Sequence, residues 1–152
     1  GYIKTELNDI PRVQSRAGDI NQVLLHLVMN AAHALADSNV PGRLSIRTRT
    51  EGDQVIIEVE DTGVGISELN LPRIFEPFFT TKEVGKGTGQ GLSTVWTLVV
   101  DHYHGSVACE SQLGVGTKFT IRLPLANQSS QLVRQTNHPS GAEQRFLLAE
   151  GV

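Results

Sequence analysis

The chain is poor in the residues that would make it a metal cluster, a disulfide scaffold or a membrane span. It has one cysteine in 152 residues, Cys109, so neither an internal disulfide nor a cysteine-based metal site can form. It has one tryptophan, one methionine and 5% aromatic residues. No apolar run approaches the roughly 20 residues that a membrane helix needs, and the N-terminal GYIKTELNDI lacks the apolar stretch of a signal peptide. There is no excess of positive charge: 13 basic residues stand against 16 acidic ones, for a net charge of −3. That balance argues against nucleic-acid binding. What the chain does have is apolar content of 39%, enough for a packed core, and 15 glycines concentrated in a few loops. Glycine gathered in this way suggests backbone shaped around a ligand.

Hydrophobic periodicity predicts the elements. Strands are expected around Tyr2–Leu7 and Arg12–Arg16, on either side of Pro11. Asp19 reads as an N-cap with Gln22 three residues on, opening a helix that carries Ile20, Val23, Leu24, Leu27, Ala31, Ala34 and Leu35 and ends near Asp37. Leu44, Ile46 and Thr48, then Val55, Ile57 and Val59, alternate on a hairpin turned at Glu51-Gly52-Asp53. A short helix is expected over Ser67–Phe75, and residues 76–91 read as irregular. A second long helix carries Leu92, Val95, Trp96, Val99, Val100 and Tyr103 and stops at Gly105. Ser106–Ser111 and Thr117–Leu123 form a closing hairpin. Residues 1–125 read as one domain and 126–152 as a polar linker or C-terminal tail, with the apolar RFLLAEGV at its end.

Four segments could carry chemistry. On the first helix, His26, Asn30, His33 and Asp37 fall within roughly 60° of one another beside the apolar stripe. A carboxamide there is a neutral hard donor suited to Mg²⁺ when phosphates supply the other ligands; the plainer alternative is a solvated polar edge. His26 and His33, seven residues apart, lack the spacing of a helical zinc pair. Asp61-Thr62-Gly63-Val64-Gly65-Ile66 follows a strand. An ionised Asp61 could accept from an exocyclic amine while Gly63 and Gly65 admit a flat ring to the backbone, or the aspartate could simply initiate a turn. GKGTGQGLS, residues 85–93, opens the second helix with amides able to cradle phosphates. It has the spacing of neither a Walker loop nor a dinucleotide-binding fingerprint. FEPFFTTK, residues 75–82, holds three of the five phenylalanines. It suggests the apolar latch of a mobile lid, with Lys82 and Lys86 in reach of phosphates.

In this order and spacing the four segments resemble the N, G1, F and G2 boxes of the catalytic and ATP-binding domain of two-component sensor histidine kinases, and GVGTKFTIRLPL resembles that family's closing strand. The resemblance covers roughly residues 2–125. It implies an α+β Bergerat fold: a two-layer α/β sandwich with a mixed, mostly antiparallel sheet, helices on one face and a flexible ATP lid. It implies ATP and Mg²⁺ as cofactors, with Asn30 as metal ligand and Asp61 on the adenine amino group. Gly63 and Gly65 would shape the adenine wall, Gly87, Gly89 and Gly91 would hold phosphates, and Thr117 would stand near the base. The implied contacts also take in His33, Ile66, Phe75, Lys82, Lys86, Thr88 and Leu92, and the implied catalytic group is His26, Asn30 and Lys82.

Three positions depart from the family pattern. His26 stands where many members have Asn, Gln90 where Leu is common, and His104 within what is often Gly-Gly. Related ATPases of the wider superfamily carry Glu four residues before the metal Asn. His26 at that place removes the water-activating carboxylate and favours transfer to a protein acceptor over hydrolysis. None of the five histidines, His26, His33, His102, His104 and His138, precedes an acidic residue as a phosphoacceptor would. The acceptor is therefore expected on a helical dimerisation domain of the same protein, outside this chain, with the receiver domain of a response regulator as the next partner. The domain is expected in the cytoplasm, with any membrane anchor elsewhere in the parent protein and no membrane contact by these residues. The alternatives are a degenerate nucleotide-binding regulatory module and a Bergerat-fold ATPase.

Overall fold

The computed structural model describes residues 2–7, 17–79 and 91–125. Among the described residues five strands form one sheet in the order β1-β2-β3-β5-β4. They are β1 (Tyr2–Leu7), β2 (Arg43–Glu51), β3 (Gln54–Asp61), β4 (Ser106–Gln112) and β5 (Gly116–Pro124). Only β1 and β2 run parallel; the other three pairings are antiparallel. This is the mixed, mostly antiparallel sheet expected. The strand predicted at 12–16 lies outside the described residues.

Helix α1 (Ala17–Ala36) and a second helix cover one face of the sheet. Val23, Leu27 and Ala31 of α1 meet Val55, Ile57, Val59, Phe119 and Ile121 of the sheet, the period-3.6 stripe of the helix lying on the period-2 rows of the strands. Cys109 packs in the same core, and burial pushes its thiol up, out of the reactive range. The helix begins two residues before Asp19, so Asp19 is not its N-cap. It sits in the first turn, where a carboxylate suits the positive end of the helix, and accepts a hydrogen bond from the Tyr103 hydroxyl.

The opposite face of the sheet is charged. Arg47 pairs with Glu58 at 3.1 Å and also with Glu60, and Arg49 pairs with Glu58 at 2.8 Å. Burial pushes the Glu58 carboxyl up, but Arg49 and Arg47 more than offset it and hold it below its ordinary value. Ile56 lies on this face, between Arg49 and Arg122 in register, and is 0% exposed. Arginine stems can cover an apolar residue while their heads stay in water. The hairpin therefore has an apolar inner face and, at Ile56, one fully buried residue on its outer face.

Two elements differ from expectation. The second helix is α-helical only over α2 (Gly91–Trp96); Thr97–His102 winds as a π-helix, and Tyr103 N–H donates to Leu98 C=O at 3.1 Å. The looser winding lets three consecutive residues, Leu98, Val99 and Val100, enter the core together. Between Ser67 and Phe75 there is only a single 3₁₀ turn, Leu71–Arg73, because Pro72 has no N–H to extend a helix.

The phenylalanines do not form one latch. Phe75 is buried, its ring centroid 5.2 Å from that of Trp96 and 6.4 Å from that of Phe119. Phe79 is half-buried beneath the Arg73 guanidinium, 4.5 Å from its ring centroid. Phe78, at φ 65°, is 71% exposed. Truncating them should therefore give unequal results. Phe75→Ala should lower unfolding free energy by about 3–5 kcal/mol, and Phe78→Ala should change it by no more than about 0.5 kcal/mol. Urea denaturation of the two variants checks this, and equal losses would contradict the packing.

Candidate functional site

The site begins where β3 ends. Asp61 is the last residue of β3, opposite Thr117 of β5, and is only 5% exposed. Its Oδ1 accepts the Gly63 N–H at 2.8 Å, and the Thr117 backbone N–H also donates to the carboxylate. Burial pushes the carboxyl up to about 6, the neighbouring Glu60 charge adds to that, and the two backbone donors pull the other way. A carboxylate has about four lone-pair sites, so two donors leave capacity for a further N–H.

Two glycines bring main chain to this carboxylate. A Cβ on Gly63 would lie 2.5 Å from the carbonyl carbon of Ala34 on α1, where Val64 N–H donates to Ala34 C=O at 3.2 Å. Gly65, at φ 77°, would put a Cβ 2.2 Å from the Gln112 carbonyl oxygen of the β4–β5 hairpin. The end of α1, the loop after β3 and the tip of the hairpin thus meet backbone to backbone. Ile66 is tied in by its N–H, which donates to Ser111 Oγ at 2.7 Å; Ser111 Oγ also lies 2.7 Å from Thr117 Oγ1 and 3.0 Å from the Gly116 carbonyl oxygen.

Helix α1 links this wall to the start of α2. His26, Asn30 and Ala34 follow one another at i, i+4 spacing, about 6 Å apart along the axis. At one end of that row Ala34 abuts Gly63; at the other, a Cβ on Gly91 would lie 3.1 Å from His26 Nδ1. Asn30, half-buried, lies between them. His33 is on the exposed side one turn further on, and Leu92 is half-buried against the core.

The structure therefore brings together Asp61, Gly63, Gly65, Ile66 and Thr117 at one end, and His26 with Gly91 at the other, with Asn30 between. Phe75 sits in the core between Trp96 and Phe119. Lys82, Lys86, Gly87, Thr88 and Gly89, and most of the expected lid over 76–91, lie outside the described residues. Among the described residues no group of three or more His, Cys, Asp or Glu could hold a metal by itself. A lone carboxamide, Asn30, fits a hard cation whose remaining ligands come from phosphates and water. Sequence reasoning missed Ala34, Ser111 and Gly116. The only signal for Ser111 was its place in the inward row Val107, Cys109, Ser111 of β4, and a Cβ on Gly116 would lie 2.0 Å from the Asp61 carbonyl oxygen.

A family model described as histidine kinase-, DNA gyrase B- and HSP90-like ATPase matches residues 16–127. The chain belongs to this family. Among curated proteins it is 42% identical over 131 residues to the sensor kinase CckA of Brucella abortus, covering 76% of this chain and 13% of that one. It is 40% identical over 117 residues to the sensor histidine kinase ZraS of Salmonella typhimurium, covering 76% of this chain and 24% of that one. The chain thus spans a quarter or less of the length of these relatives. The solved catalytic domain of the histidine kinase ThkA superposes with a TM-score of 0.69 and 31% identity, covering 84% of this chain and 82% of that one. The five-stranded mixed sheet with its helices is the α/β fold of a histidine kinase catalytic domain.

In this domain the Asp61 carboxyl makes stability depend on pH. Its folded value, about 6, exceeds its ordinary 3.8. The folded domain therefore holds a proton that the unfolded chain has already released, a contribution fully present below about pH 4 and lost as pH rises through 6. Measured against Asp61→Asn, which does not titrate, unfolding free energy should fall by about 2–3 kcal/mol between pH 4 and pH 7. Denaturant titrations of both proteins across that range check it; parallel curves would contradict the buried, proton-binding carboxyl.

Proposed function

We propose that this domain binds ATP with Mg²⁺ and transfers the γ-phosphoryl group to a histidine on a helical dimerisation domain of the same protein. The phosphoryl group would then pass to the receiver domain of a response regulator. The observation that carries this reading is the buried Asp61 carboxylate, with unused acceptor capacity where α1, the loop after β3 and the β4–β5 hairpin meet. Such an acceptor suits a base with an exocyclic amine. The sensor kinases among the relatives support the reading, as does the histidine kinase ShkA, solved in complex with AMPPNP and 28% identical over 82% of this chain.

On this reading Asp61 accepts from the adenine amino group, and Gly63, Gly65 and Ile66 offer main chain to the ring. Asn30 would hold Mg²⁺, which when bound neutralises charge on the phosphates. His26, one turn before Asn30 and beside Gly91, faces the start of α2. It supplies no carboxylate to activate water, so the phosphoryl group is kept for the protein acceptor. In the transfer the bond from the γ-phosphorus to the bridging oxygen breaks, a phosphorus–nitrogen bond forms on the acceptor imidazole, and ADP leaves. Gly87, Thr88, Gly89 and Gly91 would hold phosphates by their amides, with Lys82 and Lys86 adding charge. His33, Phe75, Leu92 and Thr117 would complete the contacts. No helix of the described residues is long and apolar enough to cross a membrane; we place the domain in the cytoplasm, where ATP is supplied.

The test supplies the domain with the parent protein's dimerisation domain and labelled ATP. Wild type should form phosphohistidine on the added domain. Asn30→Ala should reduce the transfer rate by roughly 100-fold or more, while nucleotide affinity falls by less than about tenfold, because the metal mainly stabilises charge developing in the transition state. Transfer at the wild-type rate in Asn30→Ala would take the metal role away from that residue.

A further inference from the structure

We propose that Ser111 is a positioning residue that sets the base selectivity of the nucleotide site by fixing where the Thr117 hydroxyl proton points. The proposal rests on the nucleotide-binding reading above.

The argument is a count of donors and acceptors. Ser111 is 7% exposed and lies behind the wall, on the inner face of β4. Its hydroxyl has one proton and two lone pairs. Three groups share that oxygen: the Ile66 N–H at 2.7 Å, the Gly116 C=O at 3.0 Å and the Thr117 hydroxyl at 2.7 Å. The Ile66 amide can only donate, and the Gly116 carbonyl can only accept. With all three bonds made, the single Ser111 proton goes to Gly116, and its two lone pairs take Ile66 N–H and Thr117 O–H. The Thr117 proton is thereby committed to Ser111, and Thr117 Oγ1 has only lone pairs left to offer.

Thr117 is directly opposite Asp61 in the β3–β5 register, and both side chains are buried. An ionised Asp61 is also an acceptor. The side-chain atoms of this wall are thus acceptors only, which suits a base edge carrying a donor at C6. Adenine has an amine there. Hypoxanthine and guanine reverse that edge, with a carbonyl oxygen at C6 and an N–H at N1; with C6 opposite Asp61, the carbonyl would face acceptors with no donor from either side chain. Removing the Ser111 hydroxyl frees the Thr117 proton. With Asp61 still opposite C6, Thr117 can then donate to a C6 carbonyl that has no side-chain donor in the wild type. Without Ser111, a wall restricted to amines becomes one that accepts either edge.

ATP and inosine triphosphate differ only at this edge, so the test compares their affinities by calorimetry in the same magnesium buffer. Wild type should prefer ATP. Ser111→Ala should shrink the ATP-to-ITP affinity ratio by roughly tenfold, the scale of one mispaired hydrogen bond. In a Thr117→Val background, where no hydroxyl remains to be reoriented, Ser111→Ala should leave the ratio where Thr117→Val set it. Ser111→Cys, which leaves no cavity and weakens the hydrogen bonds, should lower the ratio in the same direction and serves if the alanine variant does not fold. Loss of the Ile66 bond will lower thermal stability whatever the role of Ser111, so only the ratio decides. A ratio unchanged in Ser111→Ala or Ser111→Cys, with both nucleotides weakened in proportion, would make Ser111 a structural residue alone and overturn the proposal. Wild type binding neither nucleotide would remove the nucleotide reading, and this proposal with it.

Discussion

Everything at the site depends on one carboxylate taken out of water. Asp61 ends β3 with its side chain buried and held by two backbone N–H groups, those of Gly63 and Thr117. Two such bonds do not recover what water gave it, and the carboxyl retains a proton up to about pH 6. An acceptor left short of donors at neutral pH destabilises the empty domain and favours a ligand that brings a donor. Stability and binding are therefore linked through a single group: the penalty in the free protein is the source of discrimination in the bound one.

The fold is arranged to place that carboxylate. Asp61 can be buried because β3 runs through the middle of the sheet, with β2 on one side and β5 on the other. Its two faces differ in kind. The inner face packs on α1, while the outer face carries Arg47, Arg49, Glu58 and Glu60 in mutual ion pairs over the buried Ile56. Helix α1 then serves as a ruler. Its His26–Asn30–Ala34 row spans from Gly91 to Gly63, so a ligand lying along it would meet the wall at one end and the start of α2 at the other. Side chains are absent at the contact points because main chain approaches main chain there.

Much of this was legible in the sequence, because periodicity reports burial. The stripe of α1, the alternation of β2 through β5 and the break at Asp61-Thr62-Gly63 all appear as patterns along the chain, and the four boxes then carried the family. Other features were not legible, because they depend on partners distant in sequence. Asp19 looks like an N-cap locally, but its partner is the Tyr103 hydroxyl, 84 positions away. Phe75, Phe78 and Phe79 look alike in a row, but a turn at φ 65° puts one in the core and another in solvent. The π winding after Trp96 keeps the apolar spacing of an ordinary helix. Ser111 is one serine among several, and only its contacts with Ile66, Gly116 and Thr117 give it a role.

The most direct test of the account is the titration of Asp61 itself. With ¹³C label in the aspartate carboxyls and Asp61→Asn to assign the resonance, its chemical shift can be followed against pH by NMR, first in the free domain and then with saturating Mg-ADP. The account predicts a midpoint near 6 in the free domain. On nucleotide binding it predicts a drop of at least about one unit, as an amine donor stabilises the ionised form. A midpoint that stays in place when nucleotide binds would contradict the central claim that Asp61 receives the base.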